Sequence, residues 1–342
     1  NPITFTSNSS NPQKGSWDQI FVNQSANIQI KHCKFHYAKS ALTGQSIIIS
    51  VVSSLFTDNT LGMDAQSNTN TRIDSCTFRN NGTGQSLTGS KISITNCSYI
   101  KNSTGLYSQS SNVINCILDS NSVYGLLKHM ACNDTIRNNK IRYNGNGIGN
   151  DISGCGGTLF IYDNVIEYNS VGIWLELIGG SQDINVHNNI ICSNTLYNFK
   201  NLSMLTINAT NNCWCSKSSS YVESTIYDAH DDVNYGLVNY DPINILLCPM
   251  FVGIKDVEQE SLKSYQLYPD PFKNKALLKF ENPKKENHTL LIYDSYGKCV
   301  RRISAHTSDT IELERQELAS GIFFFQLRSQ AGIIARGKFI ID

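Results

Sequence analysis

The sequence predicts an all-β protein, in which a parallel β-solenoid of about nine coils precedes a small antiparallel β-sandwich. The first observation is a short phrase that occurs nine times between Ile30 and Trp214, at intervals of 19 to 25 residues. The second is a set of Asn, Asp and Gly residues at fixed distances from that phrase. The third is a change, after about residue 264, to short alternating runs separated by turn signals. A period of this length, built from strand-like runs, indicates stacked coils.

Each copy of the phrase places an aliphatic residue three positions before an anchor residue and a large apolar residue two positions after it. One coil cannot bury its own apolar side, so coils stacked about 4.8 Å apart would pair their strands in parallel and point the anchors inward. Stacked asparagines would then hydrogen-bond along the axis. The runs are too short for helices and lack a 3.6-residue period. The anchors are Cys33, Ser54, Cys76, Cys97, Cys116, Asn139, Asn164, Asn189 and Asn212.

Two sets of corner residues divide each coil into two or three strands. The residue before each anchor is Asn, Asp, Ser or His, and this predicts a tight bend with a left-handed backbone. An Asn five residues after the anchor predicts a second corner, and a Gly after it opens another run. These second-corner asparagines are Asn59, Asn81, Asn102, Asn121, Asn144, Asn169 and Asn194.

The repeat resembles that of right-handed parallel β-helix proteins of the pectate-lyase-like class, which implies a right-handed solenoid over residues 1–220. A resemblance to periplasmic β-helix proteins that handle copper is a further possibility. Four Met and seven scattered His argue against it, so we predict no metal and no cofactor. The "CWC" motif at 213–215 is compatible with a soft-metal site, but no His partner converges on it.

Composition narrows the function classes. A length of 342 residues suggests two domains, and the formal net charge is zero. No basic stripe is present, which argues against a nucleic-acid partner. No apolar run approaches the roughly 20 residues that a membrane span requires. The chain opens at "NPITFTSNSS" without an initiator Met or a signal peptide, so we expect a mature or truncated fragment.

Eleven cysteines suit an exported protein better than a cytosolic one. The four anchor cysteines are predicted to be small buried residues of the core. Cys132 and Cys155 each lie 16 residues after their anchors, and Cys192 and Cys215 each lie three after theirs. Equal offsets in neighbouring coils would bring the Cα atoms of each pair within bonding range, which predicts two disulfides.

After the last coil, residues 221–251 are predicted to cap the solenoid. The segment resembles the terminal part of secreted bacterial β-helix proteins, except that Cys215 stands where a Gly commonly follows the Trp. A solenoid end exposes unpaired strand edges and must be covered. We therefore assign four polar residues to the cap rather than to catalysis: Asp228, His230, Asp231 and Asp232.

Residues 252–263 are polar and predict a linker, and residues 264–342 predict a β-sandwich. The phrases "LYPDPF", "IYDSYGKCV", "LASGIFFFQL" and "GKFIID" resemble the C-terminal sorting domain of type IX secretion cargo from Bacteroidota, with Asp270 where Asn is usual. The resemblance implies that the type IX secretion machinery is a partner. It also implies that the protein reaches the cell surface or the extracellular space.

The candidate site is an outward-facing column on the strands that follow the corner glycines. His129, Asp151 and Glu176 are the catalytic candidates, because two carboxylates on adjacent strands could divide acid and base roles. Trp174 and Tyr107 are the candidate ligand-binding residues, with Trp174 as a stacking platform for a sugar. The spacing also places Phe199 in the column of Trp174 and Asn201 in the column of Glu176. A second column, in which Asp119, Arg142 and Glu167 alternate in charge, predicts a surface ion-pair ladder.

The sequence is compatible with several classes of function. We favour an exported, non-catalytic module that binds carbohydrate, with polysaccharide as the candidate partner, or that binds another surface. The alternative is a polysaccharide lyase or glycoside hydrolase that acts in an outward groove of the solenoid. A third possibility, a structural stalk, would need no site. A concave groove that gathers His129, Asp151 and Glu176 would favour the enzyme.

Overall fold

The computed structural model describes residues 2–22, 27–45, 48–129, 133–150, 157–176, 183–248, 265–283, 285–294, 299–329 and 332–342. The chain forms two compact units, residues 1–253 and residues 254–342. The first unit is a right-handed parallel β-solenoid, and the second consists of antiparallel sheets. Both the predicted fold class and the predicted order of the two parts are confirmed.

Three parallel sheets run along the solenoid, and we name them A, B and C. The strands in chain order are β1 (Ile3–Phe5), β2 (Trp17–Val22), β3 (Asn27–Lys31), β4 (Cys33–His36), β5 (Ala38–Gln45), β6 (Ile48–Val52), β7 (Leu55–Thr57), β8 (Leu61–Thr69), β9 (Arg72–Asp74), β10 (Thr77–Arg79), β11 (Thr83–Ser90), β12 (Ile92–Thr95), β13 (Ser98–Ile100), β14 (Thr104–Ser108), β15 (Ser111–Ile114), β16 (Ile117–Asp119), β17 (Tyr124–Lys128), β18 (Asp134–Arg137), β19 (Lys140–Arg142), β20 (Asn146–Asn150), β21 (Thr158–Tyr162), β22 (Val165–Glu167), β23 (Val171–Leu175), β24 (Asp183–His187), β25 (Ile190–Cys192), β26 (Tyr197–Asn201), β27 (Ile207–Asn208), β28 (Ile226–Tyr227) and β29 (Val238–Asn239).

Successive coils add one strand to each sheet. Sheet A contains nine strands in the order β1-β4-β7-β10-β13-β16-β19-β22-β25. Sheet B contains ten, in the order β2-β5-β8-β11-β14-β17-β20-β23-β26-β28. Sheet C also contains ten, in the order β3-β6-β9-β12-β15-β18-β21-β24-β27-β29. Neighbouring strands pair in register, so residues at equivalent positions stack in columns along the axis.

The corners have the predicted left-handed backbone. All nine residues before the anchors have φ between 48° and 59°, a conformation in which the strand turns sharply from sheet C to sheet A. At the second corner, the left-handed residue is the one that precedes the second-corner asparagine, for example Asp58 or Tyr143. The Asn itself then points inward. Both sets of corners therefore turn the chain and direct the next side chain into the core.

The interior is a set of stacked columns. All nine anchors are buried, as predicted. Phe5, Phe35, Phe56, Phe78 and Tyr99 form a stack whose neighbouring ring centroids lie 4.6 to 5.0 Å apart. The coils are so close that a Cβ atom on Gly84, one of the glycines after the second corner, would lie 2.4 Å from a backbone oxygen of the next coil. Glycine is therefore required there by space rather than by backbone angle.

We call the described elements that follow the last anchor, Asn212, the cap. A short helix, α1 (Ser219–Ser224), begins at the N-cap Ser218 and buries Val222, and a 3-10 turn follows at Ile245–Leu247. Trp214 is fully buried and contacts the edge of Tyr240.

Two disulfides join this end of the chain. Cys192 and Cys215 are bonded, with Cα atoms 5.7 Å apart, and the bond links neighbouring coils. Cys213 and Cys248 are also bonded, with Cα atoms 5.3 Å apart, a pair that the offsets in the sequence do not indicate. Both cysteines of the "CWC" motif are thus engaged in disulfides. The other predicted pair, Cys132 and Cys155, lies outside the described residues.

The second unit contains two antiparallel sheets around its own core. Three strands form one sheet and four form the other. The core includes Phe272, Leu278, Phe325 and Phe339. The first sheet consists of β30 (Tyr265–Tyr268), β31 (Lys275–Phe280) and β34 (Thr310–Glu314), and the second of β32 (His288–Tyr293), β33 (Cys299–His306), β35 (Gly321–Ser329) and β36 (Gly332–Ile341).

Candidate functional site

The outer face of sheet B carries the predicted column, and strand pairing fixes its register. Residues Asp64, Ser86, Tyr107, Leu127, Gly149, Trp174 and Lys200 lie opposite one another on successive strands. The assignment of Phe199 to this column was wrong, because Phe199 pairs with Ile173 and is buried. The assignment of Asn201 was wrong for the same reason, since Asn201 pairs with Leu175 and is buried.

A longer turn explains both errors. In the preceding coil Gly172 follows Asn169 by three residues, whereas in this coil Asn198 takes the equivalent place four residues after Asn194. The one-residue shift reverses which side chains face outward, because alternate residues of a strand point to opposite faces. It places Lys200 directly beside Trp174.

Lys200 lies among three aromatic rings. Its ammonium nitrogen is 4.6 Å from the ring centroid of Trp174, 5.2 Å from that of Tyr227 and 6.0 Å from that of Tyr197. Tyr197 and Tyr227 meet edge to face with centroids 5.6 Å apart, and Tyr235 lies 6.1 Å beyond Tyr227. All of these side chains are partly exposed. We call Trp174, Tyr197, Lys200 and Tyr227 the aromatic-lysine patch.

The predicted platform of Trp174 is therefore occupied on one face by a cation. The contact is a cation–π interaction, which holds the ammonium group over the negative face of the ring. A sugar could stack on that face only if Lys200 moved aside. The indole Nε1–H of Trp174 is buried and has no hydrogen-bond acceptor among the residues that the structure describes.

Tyr107, the second candidate ligand-binding residue, lies several coils away from the patch. Its ring stacks on His129 of the next coil, with centroids 5.6 Å apart. Between the two regions, the ring of Tyr124 lies over Gly149, where an added Cβ would come within 2.5 Å of it. Aromatic rings thus continue along this face from Tyr107 to Trp174 and beyond.

The catalytic candidates are spread along the same face. The backbone N–H groups of His129 and Glu176 donate to Ser108 and Asn150 of the preceding coils, which fixes both residues in the predicted column. They stand two coils apart, or about 10 Å along the axis. Asp151, which belongs between them, lies outside the described residues. The predicted division of acid and base roles thus remains a prediction.

The second outward column lies on sheet A. Asp119 pairs with Arg142, and Arg142 pairs with Glu167, on adjacent strands. The guanidinium of Arg142 lies 2.8 Å from the Glu167 carboxylate. This ion pair is partly exposed and fits the expected surface ladder.

Sequence reasoning missed a buried ion pair inside the solenoid. The ammonium of Lys128 lies 2.7 Å from the carboxylate of Asp134, and both side chains are almost completely buried. Lys128 also donates to the hydroxyl of Ser111 at 2.9 Å. Burial lowers the pKa of Lys128, and the nearby Asp134 opposes that shift. One feature of the sequence could have indicated this pair. Lys128 occupies an inward position at which the neighbouring coils carry Ser108 and Asn150.

The cap brings together three further side chains. The Nδ1 atom of His230 is 2.6 Å from a Glu223 oxygen and 3.3 Å from an Asp228 oxygen. Their donor atoms all lie within 4.8 Å of one another, and His230 is largely exposed. The sequence pattern places Asp228 and His230 in the cap and gives no indication of Glu223.

Comparison with known families accounts for both units. Residues 50–228 match the family described as periplasmic copper-binding protein (NosD). The chain belongs to this family. Residues 266–342 match the secretion system C-terminal sorting domain. A search of the curated proteins found no match.

The sorting domain confirms the predicted export to the cell surface or the extracellular space and the engagement with type IX secretion. In the described part of the chain, no helix has the length and apolar character needed to span a membrane.

The donor groups of the described residues suit copper(I) poorly. Copper(I) prefers thiolate and thioether ligands. Cys76 and Cys97 are stacked in the core, where their thiols donate to backbone carbonyl oxygens. The pKa of Cys76 lies above its usual range. The main cause is a hydrogen bond with Cys97, and burial is the second, so the thiol stays protonated. The cluster of Glu223, Asp228 and His230 offers instead two carboxylates and one imidazole, a set that suits zinc(II) or copper(II).

Proposed function

We propose that the solenoid of this exported protein binds acidic polysaccharide outside the cell, through the aromatic-lysine patch on the outer face of sheet B. The contact between Lys200 and Trp174 carries the proposal. Binding, rather than cleavage, is the proposed activity.

The composition of the patch supports a sugar ligand. Aromatic side chains present a flat apolar surface to the C–H groups of a pyranose, and their edges and hydroxyls can take part in hydrogen bonds. Tyr197 and Tyr227 are partly exposed and lie on adjacent strands of the sheet. A regular row of strands about 4.8 Å apart suits an extended polymer better than a single small molecule.

The charge of the patch supports an acidic sugar over a neutral one. The ammonium group of Lys200 lies between 4.6 and 6.0 Å from three ring centroids, so it is held in place before any ligand arrives. A uronate carboxylate or a sulfate would pair with this ammonium while the sugar ring packs on a neighbouring tyrosine. A preorganised cation reduces the entropy that is lost on binding.

The test uses the full chain and a set of matched polysaccharides. Affinity electrophoresis would compare polygalacturonate, alginate and chondroitin sulfate with neutral dextran and starch. We expect retardation by acidic polymers that weakens as salt rises, since exposed charge pairs are screened. Lys200→Gln and Trp174→Ala should each weaken binding about tenfold or more, whereas Lys140→Gln, an exposed lysine on sheet A, should leave it unchanged.

Two outcomes would contradict the proposal. Equal affinity of wild type and Lys200→Gln for every polymer would remove the patch as the binding site. Steady release of unsaturated or reducing-end products, abolished in Asp151→Asn, would favour the lyase or hydrolase instead.

A further inference from the structure

The cap contains a second candidate site, separate from the aromatic-lysine patch. Glu223 is supplied by α1, whereas Asp228 and His230 are supplied by the segment after β28. The imidazole Nδ1 of His230 lies between the two carboxylates, 2.6 Å from Glu223 and 3.3 Å from Asp228. The cluster thus links the side chain of a residue in α1 to two residues of the loop that follows β28.

Surrounding contacts hold the three side chains in position before an ion binds. One oxygen of Asp228 accepts from the backbone N–H of His230 at 2.9 Å, and the other accepts from the N–H of Val238 at 2.7 Å. Asp228 is buried, so its position is fixed, whereas His230 is open to solvent and can admit an ion. Bonds of this kind behind a ligand orient it and raise its affinity for a metal.

We propose that Glu223, Asp228 and His230 bind one divalent transition-metal ion, zinc(II) or copper(II), and that the ion fastens α1 to the loop that follows β28. Imidazole and carboxylate are ordinary ligands of both ions, and three protein ligands leave a further position for water. Without metal, the same side chains make the contacts described above, and in either state they link α1 to the loop that follows β28.

Metal binding to the tag-free full chain tests the proposal. Isothermal titration with Zn²⁺ and with Cu²⁺, after dialysis against chelator, should give one saturable ion per chain. The Cu²⁺ complex should show one coordinated imidazole nitrogen by electron paramagnetic resonance. His230→Ala and Glu223→Gln should each raise the Kd at least tenfold, while His187→Ala, a histidine on sheet C, should leave it unchanged.

A stability measurement separates a metal site from direct contacts between the three side chains. Saturating Zn²⁺ should raise the Tm of the wild type by about 3 °C and leave that of His230→Ala unchanged. No saturable binding of either ion, or a Kd that is the same in wild type and both variants, would overturn the proposal. The same rise in Tm in wild type and His230→Ala would also overturn it. None of these readouts depends on polysaccharide binding.

Discussion

The side-chain oxygen of Asn164 accepts two hydrogen bonds from Asn139 in the preceding coil, one from its backbone N–H at 3.0 Å and one from its side-chain amide at 2.9 Å. The amide of Asn164 in turn donates to Asn189 at 2.9 Å. The contact repeats from coil to coil and also occurs in the column of second-corner asparagines, as between Asn144 and Asn169. These amides satisfy backbone groups that a tight corner would otherwise leave unpaired inside the core.

Replacing one asparagine of this ladder of stacked side chains should lower the stability of the solenoid. Asn164→Ala would leave the backbone N–H of Asn139 and one of the two N–H groups of its side-chain amide without an acceptor in a buried position, while the other still donates to the carbonyl of Val113. Unpaired buried groups cost about 1–3 kcal/mol each. We expect the free energy of unfolding of the solenoid to fall by about 3 kcal/mol, as measured by urea denaturation. Asn112→Ala, at an exposed Asn that accepts one bond from Thr135, should cost less than about 1 kcal/mol. Equal losses in the two variants would contradict the role of the ladder.

The ladder could be predicted from the sequence because its residues recur at a fixed place in the period. The anchor and corner positions depend on local geometry that every coil shares, so spacing alone locates them. Lys200 could not be placed in this way, since a one-residue insertion after Asn194 changes which side chains face outward. The patch around Lys200 also needs Tyr227, which comes from a strand of the cap that lacks the repeat phrase.

Some pairs of side chains meet only through tertiary contacts, and the sequence pattern does not indicate them. Lys128 and Asp134 are charged residues at inward positions, and nothing in the local pattern indicates that they pair. Glu223 lies in α1 and His230 in the loop after β28, and their side chains meet in the cap. In both cases the partners belong to different elements, so their contact depends on the path of the chain between them.

The buried ion pair can be tested by removing the charge of Lys128 alone and then the charges of Lys128 and Asp134 together. Lys128→Met should destabilise the solenoid by about 3–5 kcal/mol, because it leaves Asp134 charged and uncompensated in the core. The double variant Lys128→Met with Asp134→Leu should recover most of that loss, since an apolar pair of similar volume is tolerated. Thermal and urea unfolding would measure both. A double variant that is no more stable than the single one would contradict the pairing.

Asp74 predicts a dependence of stability on pH. A hydrogen bond from Thr95, with further bonds from Asn96 and Arg72, lowers the pKa of Asp74 below its ordinary value of 3.8 in the folded chain. A carboxylate with a lowered folded pKa adds stability that is fully present above the unfolded value and is lost as the pH falls through the folded one. Asp74→Asn should therefore flatten the loss of stability below pH 3.8, and Thr95→Val should flatten it in part. An unchanged acid limb in Asp74→Asn would contradict this.

The pairing of the cysteines in disulfide bonds can be measured directly. Peptide mapping without reductant should recover Cys192 linked to Cys215 and Cys213 linked to Cys248. Replacing Cys213 and Cys248 together with Ser should lower stability by about 3–4 kcal/mol, because the bond closes a loop of 35 residues in the unfolded chain. The same map tests the predicted bond between Cys132 and Cys155, and alkylation of both as free thiols would contradict it.

The last prediction concerns export. The sorting domain has its own sheets and its own core, so deletion of residues 264–342 should leave the solenoid folded. In a host with type IX secretion, the truncated protein should accumulate in the periplasm, whereas the full chain reaches the surface or the medium. Residues 264–342 fused to a folded periplasmic carrier should carry it outward, which separates a sorting function from a folding function. Recovery of the truncated protein outside the cell at normal levels would show that the signal lies elsewhere. A carrier fusion that stays in the periplasm would show that the sorting domain needs the solenoid to be recognised.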